Sequence, residues 1–420
     1  MARDLRLFYL FRLLATSHLF VPIAITFFAS RGLGFDRAML LNTIWCGSVL
    51  LFDVPTGALA DRIGRRRTMM LGALLMSAAC LVFYVAHDFV TFAIASSMSA
   101  LAMTMTSGAD SAYLYDMLSD AGLEHEYPRR EGTASAWHLI GSTLAFSAGG
   151  IAAKFSLGLP YLLTAGTSLC ALLVAFTMRE ERAPSSVSVS LSPRALWRTY
   201  VQHIRLAVGE IALRRQLRWT IGYSAVVFVL VRVTDYMYPP YLGAAGFGVM
   251  ATGFIFAGLY LVAAAVAHNM DSLRQSLSEW RLLVGLPLLL VGSNLLMGRF
   301  VASWAIAFML GPALVTGAFS PLVKSVMNRA IPSSDRRATI LSFESMARRL
   351  AFGAFSPVLG VLVHRWSVST GFYLCAGFGL VGVLLFAWRP LRAGSPVVPI
   401  AAPAAPPQPG PSPASGERAA

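Results

Sequence analysis

Charge is what this sequence has least of. Only 13% of its 420 residues are Asp, Glu, Lys or Arg, against 56% hydrophobic. Soluble domains carry about 25% charged residues, so a water-facing globular surface is excluded. A mean hydropathy of +0.64 makes a bilayer the natural solvent. Carboxylates are scarcer than bases, and 34 basic against 20 acidic residues leave a net charge of +14. The bases sit in short clusters between apolar segments. That is the pattern of loops held on one side of a membrane, and no nucleic-acid-binding module fits the spacing. There are only four cysteines, Cys46, Cys80, Cys170 and Cys375. All lie in apolar segments and none pair at a metal-ligand spacing, so buried free thiols and no metal site are expected. The absence of a nucleotide-binding P-loop argues against ATP-driven work, and no cofactor is implied. No cluster of His, Asp or Cys marks an enzyme site at a membrane face, so no enzymatic activity is expected. The N-terminal segment lacks a small-residue cleavage site, which predicts a retained first helix.

A spanning helix needs about 20 mostly apolar residues. The apolar runs predict twelve, near 7–30, 38–60, 68–87, 89–115, 133–153, 158–178, 217–241, 247–268, 282–298, 301–327, 339–363 and 370–388. The N-terminus, the even-numbered connections and the C-terminal segment as far as Arg392 then hold 23 basic residues, including Arg62, Arg65–Arg67, Arg129, Arg130 and Arg329. The other face holds 5: Arg31, Arg37, Lys154, Arg299 and Arg365. The asymmetry places both termini in the cytoplasm of a bacterial inner membrane. The longest connection divides the chain into a six-helix bundle over 1–178, a linker over 179–216 and a second bundle over 217–389. Within the linker, Ser192-Pro193 starts a helical stripe (Leu196, Tyr200, Ile204, Val208, Ile211) expected to lie on the membrane surface. Arg129-Arg130-Glu131 before span 5 is echoed by Arg336-Arg337-Ala338 before span 11, a trace of duplication. Residues 390–420 form a Pro/Ala-rich tail expected to be disordered.

The strongest local signal joins spans 2 and 3: Gly57-Ala58-Leu59-Ala60-Asp61-Arg62-Ile63-Gly64-Arg65-Arg66. It predicts a tight hairpin whose glycines allow positive φ or close approach and whose arginines hold it at the membrane surface. This stretch resembles the signature loop of the major facilitator superfamily, written G-x-L-a-D-r-x-G-r-r/k. The resemblance implies an all-α membrane fold of about twelve transmembrane helices, in two six-helix bundles related by pseudo-two-fold symmetry. It also implies a conformational latch of Gly57, Asp61, Arg62, Gly64 and Arg65 against the other half, with Asp53 close by. The corresponding stretch of the second half, His268 to Arg274, is degenerate.

Span 5 carries Gly141, Gly149 and Gly150, which resemble three positions of the antiporter motif G-x-x-x-G-P-x-x-G-G. Ala145 and Phe146 replace its central Gly-Pro. Small residues here also serve plain helix packing, and both readings are open. Span 4 lacks the arginine of the antiporter branch. The likeness is therefore to divergent bacterial exporters of drugs or metabolites.

Ionisable groups inside a bilayer need a partner or a purpose. Arg12, Asp53 and Asp110 lie in the same third of the first half, and one arginine facing two carboxylates leaves one free to take a proton. Arg232 with Asp235, and Glu344 with Arg348, have i,i+3 and i,i+4 spacing for pairs on one helix face. Each set serves either proton coupling or a static ion pair. His18 and Tyr236 are candidates for the substrate cavity, and Pro239-Pro240 are expected to break span 7. The reading is a monomeric secondary transporter in the lipid bilayer that exchanges an outgoing small organic molecule for protons. Import of a sugar, organic acid or other nutrient is the alternative, and a non-transporting scaffold or sensor the alternative of another class.

Overall fold

A computed structural model describes residues 2–179, 205, 208–209, 211–331 and 334–392. The first half comprises α1 (Ala2–Ala15), a 3-10 turn (Val21–Ile23), α2 (Ala24–Ser30), α3 (Phe35–Ile63), α4 (Arg65–Val85), α5 (Phe89–Thr106), α6 (Ala109–Ser119), α7 (Tyr127–Phe155) and α8 (Leu159–Thr177). The second comprises α9 (Arg215–Ala244), α10 (Val249–His268), α11 (Met270–Ser276), α12 (Glu279–Arg299), α13 (Leu310–Ala330), α14 (Ser334–Arg365) and α15 (Val368–Arg392). Ten stretches are long and apolar enough to cross a membrane, α5 and α6 counting as one. The broken α1–α2 segment and the polar-started α7 complete twelve. Leu51, Leu173 and Phe176 are each more than 60% exposed, as lipid-facing side chains are. Most of the expected surface helix after Ser192, and the tail from Ala393, lie outside the described residues.

Helix ends follow local chemistry. Asp88 caps α5 by accepting the Thr91 N–H at 3.0 Å. Proline occupies the first turn of α7 and of α8, where its missing N–H costs nothing. Gly64 separates α3 from α4 at φ +96°, a conformation that disfavours any side chain.

Three expectations about helix continuity change. The first span is interrupted between Ala15 and Val21. The groups this frees are satisfied by neighbouring helices: Leu19 N–H donates to Thr164 Oγ1 at 3.0 Å, and the Thr167 hydroxyl donates to Ser17 O at 3.3 Å. Span 4 also breaks, at Gly108 with φ +90°. Conversely, α9 runs unbroken through Pro239 and Pro240 to Ala244. The prolines remove bonds only near its end, where Tyr238 and Tyr241 are buried and the Tyr241 hydroxyl donates to Phe300 O at 2.8 Å. Of the cysteines, Cys46, Cys80 and Cys375 are buried, whereas Cys170 is exposed.

The two halves meet along two seams, α3 against α14 and α7 against α10. In the first, Thr43 Oγ1 donates to Gly353 O at 2.8 Å and Ser356 Oγ to Met39 O at 2.9 Å. His364 Nδ1 lies 3.7 Å from Asp36 Oδ1. In the second, the Phe146 ring stands 4.8 Å from that of Tyr260, and Gly150 faces Gly253. These contacts occupy the half of the bundle with few arginines. Towards the arginine-rich end Asp53 and Gly57 are exposed.

Candidate functional site

The break at Gly108 turns Asp110 back towards α1. Its carboxylate accepts the N–H groups of Gly108 at 3.2 Å and Ser111 at 2.7 Å and is ion-paired with Arg12. The other arm of the Arg12 guanidinium reaches Glu131 Oε1 of α7 at 3.0 Å, and Ser111 Oγ donates to the same oxygen at 3.2 Å. One cation therefore bridges two carboxylates from two helices. Asp110 is buried, and Glu131 is 26% exposed at its side chain. Arg12 Nε and Glu131 Oε2 are buried with no hydrogen-bond partner among the described residues.

The structure joins Arg12 to Asp110, which the sequence had placed at the same level, and sets Glu131 beside Arg12 where the sequence offered Asp53. Asp53 is exposed on α3 and makes no ion pair among the described residues. Glu131 takes that place. Hydropathy hid it, because it follows Arg129 and Arg130 and reads as loop, whereas α7 begins at Tyr127 and carries it inward.

In the signature loop Arg65 pairs with Asp61 at 2.6 Å and approaches Asp116 of α6 at 3.9 Å. Arg66 donates to Met178 O at 2.8 Å, tying the loop to the end of α8. Arg62 is exposed. Gly64 supplies the positive φ, while a Cβ on Gly57 would meet nothing within 4 Å. The loop thus braces α3, α4, α6 and α8 of its own half.

The second-half pairs differ in character. Glu344 is buried, lies 2.9 Å from Arg348 and accepts from the Ser224 hydroxyl. Arg348 also lies over the rings of Phe228 and Phe319, at 5.1 and 5.8 Å. Arg232 and Asp235 are looser, 3.6 Å apart and each partly exposed. Arg232 sits 5.6 Å from the Tyr236 ring, which stacks on Phe352 at 5.8 Å. His18 falls in the break after α1, edge-on to Phe20 at 5.7 Å.

The span-5 glycines lie at close approaches. A Cβ on Gly141 would come 2.7 Å from Leu13 O, and one on Gly150 would come 2.8 Å from Met250 O. Gly149 abuts Leu19 in the break after α1. A family model described as Major Facilitator Superfamily matches residues 7–310. The chain belongs to that superfamily. Facilitators of this family bind small-molecule substrates and work as single chains, and their family and fold are those of transporters, not enzymes. Among solved structures, the nucleoside transporter NupG aligns with a TM-score of 0.76 at 13% identity, covering 92% of this chain and 97% of that one. A bacterial homolog of the human lysosomal transporter Spinster, inward-facing and unoccupied, aligns with a TM-score of 0.74 at 15% identity over 92% of this chain and 96% of that one. These likenesses carry the fold. The quinolone resistance protein NorA of Staphylococcus aureus is 21% identical over 196 residues, which is 45% of this chain and 50% of NorA. The chain spans about half the length of the curated relatives it matches.

Proposed function

We propose that this facilitator is a proton-coupled exporter of a small organic molecule working by alternating access, with Glu131 carrying the proton. The observation that bears most weight is the Arg12 bridge between Asp110 and Glu131. One cation cannot neutralise two carboxylates, and an excess charge in a bilayer is costly. Asp110 accepts three donors, which leave its oxygens partnered. Glu131 has one oxygen without a partner, so a proton there removes the excess charge most cheaply. The arginine-rich end is assigned to the cytoplasm by the positive-inside rule, and the exposed Asp53 and Gly57 then face the cytoplasm. Arg232, Asp235, Tyr236 and His18 are assigned to the wall of the substrate path. The Glu344–Arg348 pair, flanked by Ser224 and two rings, is assigned a structural role. The weak likeness to NorA supports export.

The test is transport in inverted membrane vesicles, with quinolones and ethidium as probes and a pH-sensitive dye reporting proton flux. Glu131→Gln is expected to abolish the pH dependence while binding persists. Asp110→Asn is expected to slow transport roughly tenfold, equivalent to about 1.4 kcal/mol in the barrier, and to keep its pH dependence. Normal pH-dependent transport by Glu131→Gln removes it as the proton carrier. Probe movement in the opposite direction replaces export by import.

A further inference from the structure

In the second bundle, α14 and α15 part to leave a groove of about 460 Å³, within the range of about 300–1,000 Å³ typical of small-molecule sites. Phe355, Val358 and Leu362 line it from α14, and Tyr373, Leu374 and Phe378 from α15. Its place on α14 follows from helical register. Gly353, Ser356 and Gly360 meet α3. Each residue advances about 100° around a helix, so Val358 stands about 200° from Ser356, and Phe355 and Leu362 fall on the same far side. The groove therefore faces away from the seam between the halves. Val358 is 57% exposed and Tyr373 43%, as side chains turned to lipid are.

One end of the groove is closed. The rings of Phe355 and Phe378 meet there, 4.6 Å apart. From Phe355, Val358 and Leu362 lead at helical spacing to Arg365, the last residue of α14. That distance is about 15 Å, half of a hydrocarbon core about 30 Å thick. The groove thus spans the depth of a single leaflet, from near the midplane to the arginine-poor surface. Trp366 is exposed at its mouth, where an aromatic ring sits at the headgroup level.

Charge at the mouth is of one sign. Arg365 is exposed there. Arg299 ends α12 beside Gly298, and a Cβ on Gly298 would lie 3.0 Å from the Tyr373 ring and 3.2 Å from Ser369 O. Arg299 therefore stands beside the α15 edge of the groove. Neither arginine makes an ion pair among the described residues, and Arg299 lies over the Phe300 ring. The connections of the second half at this end, 245–248, 300–309 and 366–367, contain no Asp or Glu. An apolar slot one leaflet deep under two unpaired cations matches an acyl chain below an anionic headgroup. A second copy seated here by two-fold symmetry would set the partner's Arg365 against Arg365, like charge to like.

We propose that the α14–α15 groove is a site for an anionic phospholipid of the leaflet at the arginine-poor end, with one acyl chain in the groove and its phosphate held by Arg365 and Arg299. The site is independent of the direction of transport and of the proton carrier.

The experiment uses the full chain in phosphatidylcholine vesicles. A minor fraction of the lipid is either phosphatidylglycerol or phosphatidylcholine carrying a diazirine in one acyl chain. After illumination, labelled residues are mapped by peptide mass spectrometry. Phosphatidylglycerol is expected to label the lining of the groove severalfold more than the lipid-facing Leu173 and Phe176, and severalfold more than phosphatidylcholine does. Arg365→Gln and Arg299→Gln, both at exposed positions, are each expected to lower that excess severalfold, while Arg365→Lys keeps most of it. A Cβ on Gly377, which also lines the groove, meets nothing within 4 Å. Gly377→Phe is therefore expected to fill the space and to remove groove labelling by both lipids. Equal labelling by the two lipids, or an excess indifferent to both glutamine variants, overturns the headgroup site. Labelling of the groove no stronger than that of Leu173 and Phe176 overturns the groove as a lipid site. Disulfide-linked dimers formed through Val358→Cys in a chain otherwise free of cysteine replace the lipid by a second copy.

Discussion

Gly150 of α7 and Gly253 of α10 face each other so closely that a Cβ built on Gly150 would lie 2.9 Å from the Gly253 Cα, and one built on Gly253 would lie 2.6 Å from the Gly150 Cα. Two backbones from opposite halves touch here with no side chain between them. Close approach of this kind draws on packing at small residues, since lipid supplies no hydrophobic drive for helix association.

Gly253→Val is therefore expected to lower thermal stability by about 1–3 kcal/mol, the usual cost of overpacking, while the chain still inserts. Gly57→Ala is the contrasting case, because its Cβ enters open space within α3. It is expected to stabilise by about 0.5–1 kcal/mol through backbone entropy. Thermal unfolding of the detergent-purified variants separates the two, and equal effects would contradict the seam as described.

Gly64 has φ +96° and ψ 152°, a region that side chains avoid. Gly64→Ala is expected to cost about 1–3 kcal/mol despite the open space around the position. An unchanged melting temperature would show that the loop adopts another conformation.

Glu344→Leu leaves the Arg348 charge without its carboxylate. The cost of breaking a buried pair is about 3–5 kcal/mol, and the 21% exposure of the Arg348 side chain places this case below that range. Adding Arg348→Leu is expected to recover part of the loss, because two apolar side chains leave no stranded charge. A double variant less stable than Glu344→Leu alone would mean that the arginine acts mainly through Phe228 and Phe319.

Asp88 lies outside the spans, and its hydrogen bonds to the Thr91 side chain and N–H lower its pKa below the usual carboxylate value. A depressed folded-state pKa contributes stability above the unfolded value and loses it as pH falls through the folded one. Protection of the first-turn amides of α5, taken relative to the intrinsic exchange rate at each pH, is thus expected to fall only under acid conditions, below the ordinary range for Asp. Asp88→Ala is expected to show that low protection at every pH. Equally low protection at neutral pH in the unaltered chain would argue against the cap.

Much of the architecture was legible in the chain itself. Apolar run length located the spans, since about 20 residues are needed to cross a bilayer. The Gly57–Arg66 motif located the turn between α3 and α4. The i,i+3 and i,i+4 spacings of Arg232 with Asp235 and of Glu344 with Arg348 put each pair on one helix face, where both now lie. Spacing within a helix is local, so periodicity reveals it.

Partners from different helices were not legible. Arg12 of α1 meets Asp110 of α6 and Glu131 of α7, which are 98 and 119 residues away, and no local pattern records such a meeting. Composition, run length and the signature loop determined by themselves that this is a two-bundle membrane protein of the facilitator family, because the bilayer makes burial a one-dimensional property of the chain. Which carboxylates share Arg12, which glycines touch across the halves and which end of the α3–α14 seam is held together were decided only by tertiary structure. Those depend on helix rotation and tilt, and these are set by packing between segments far apart in the chain.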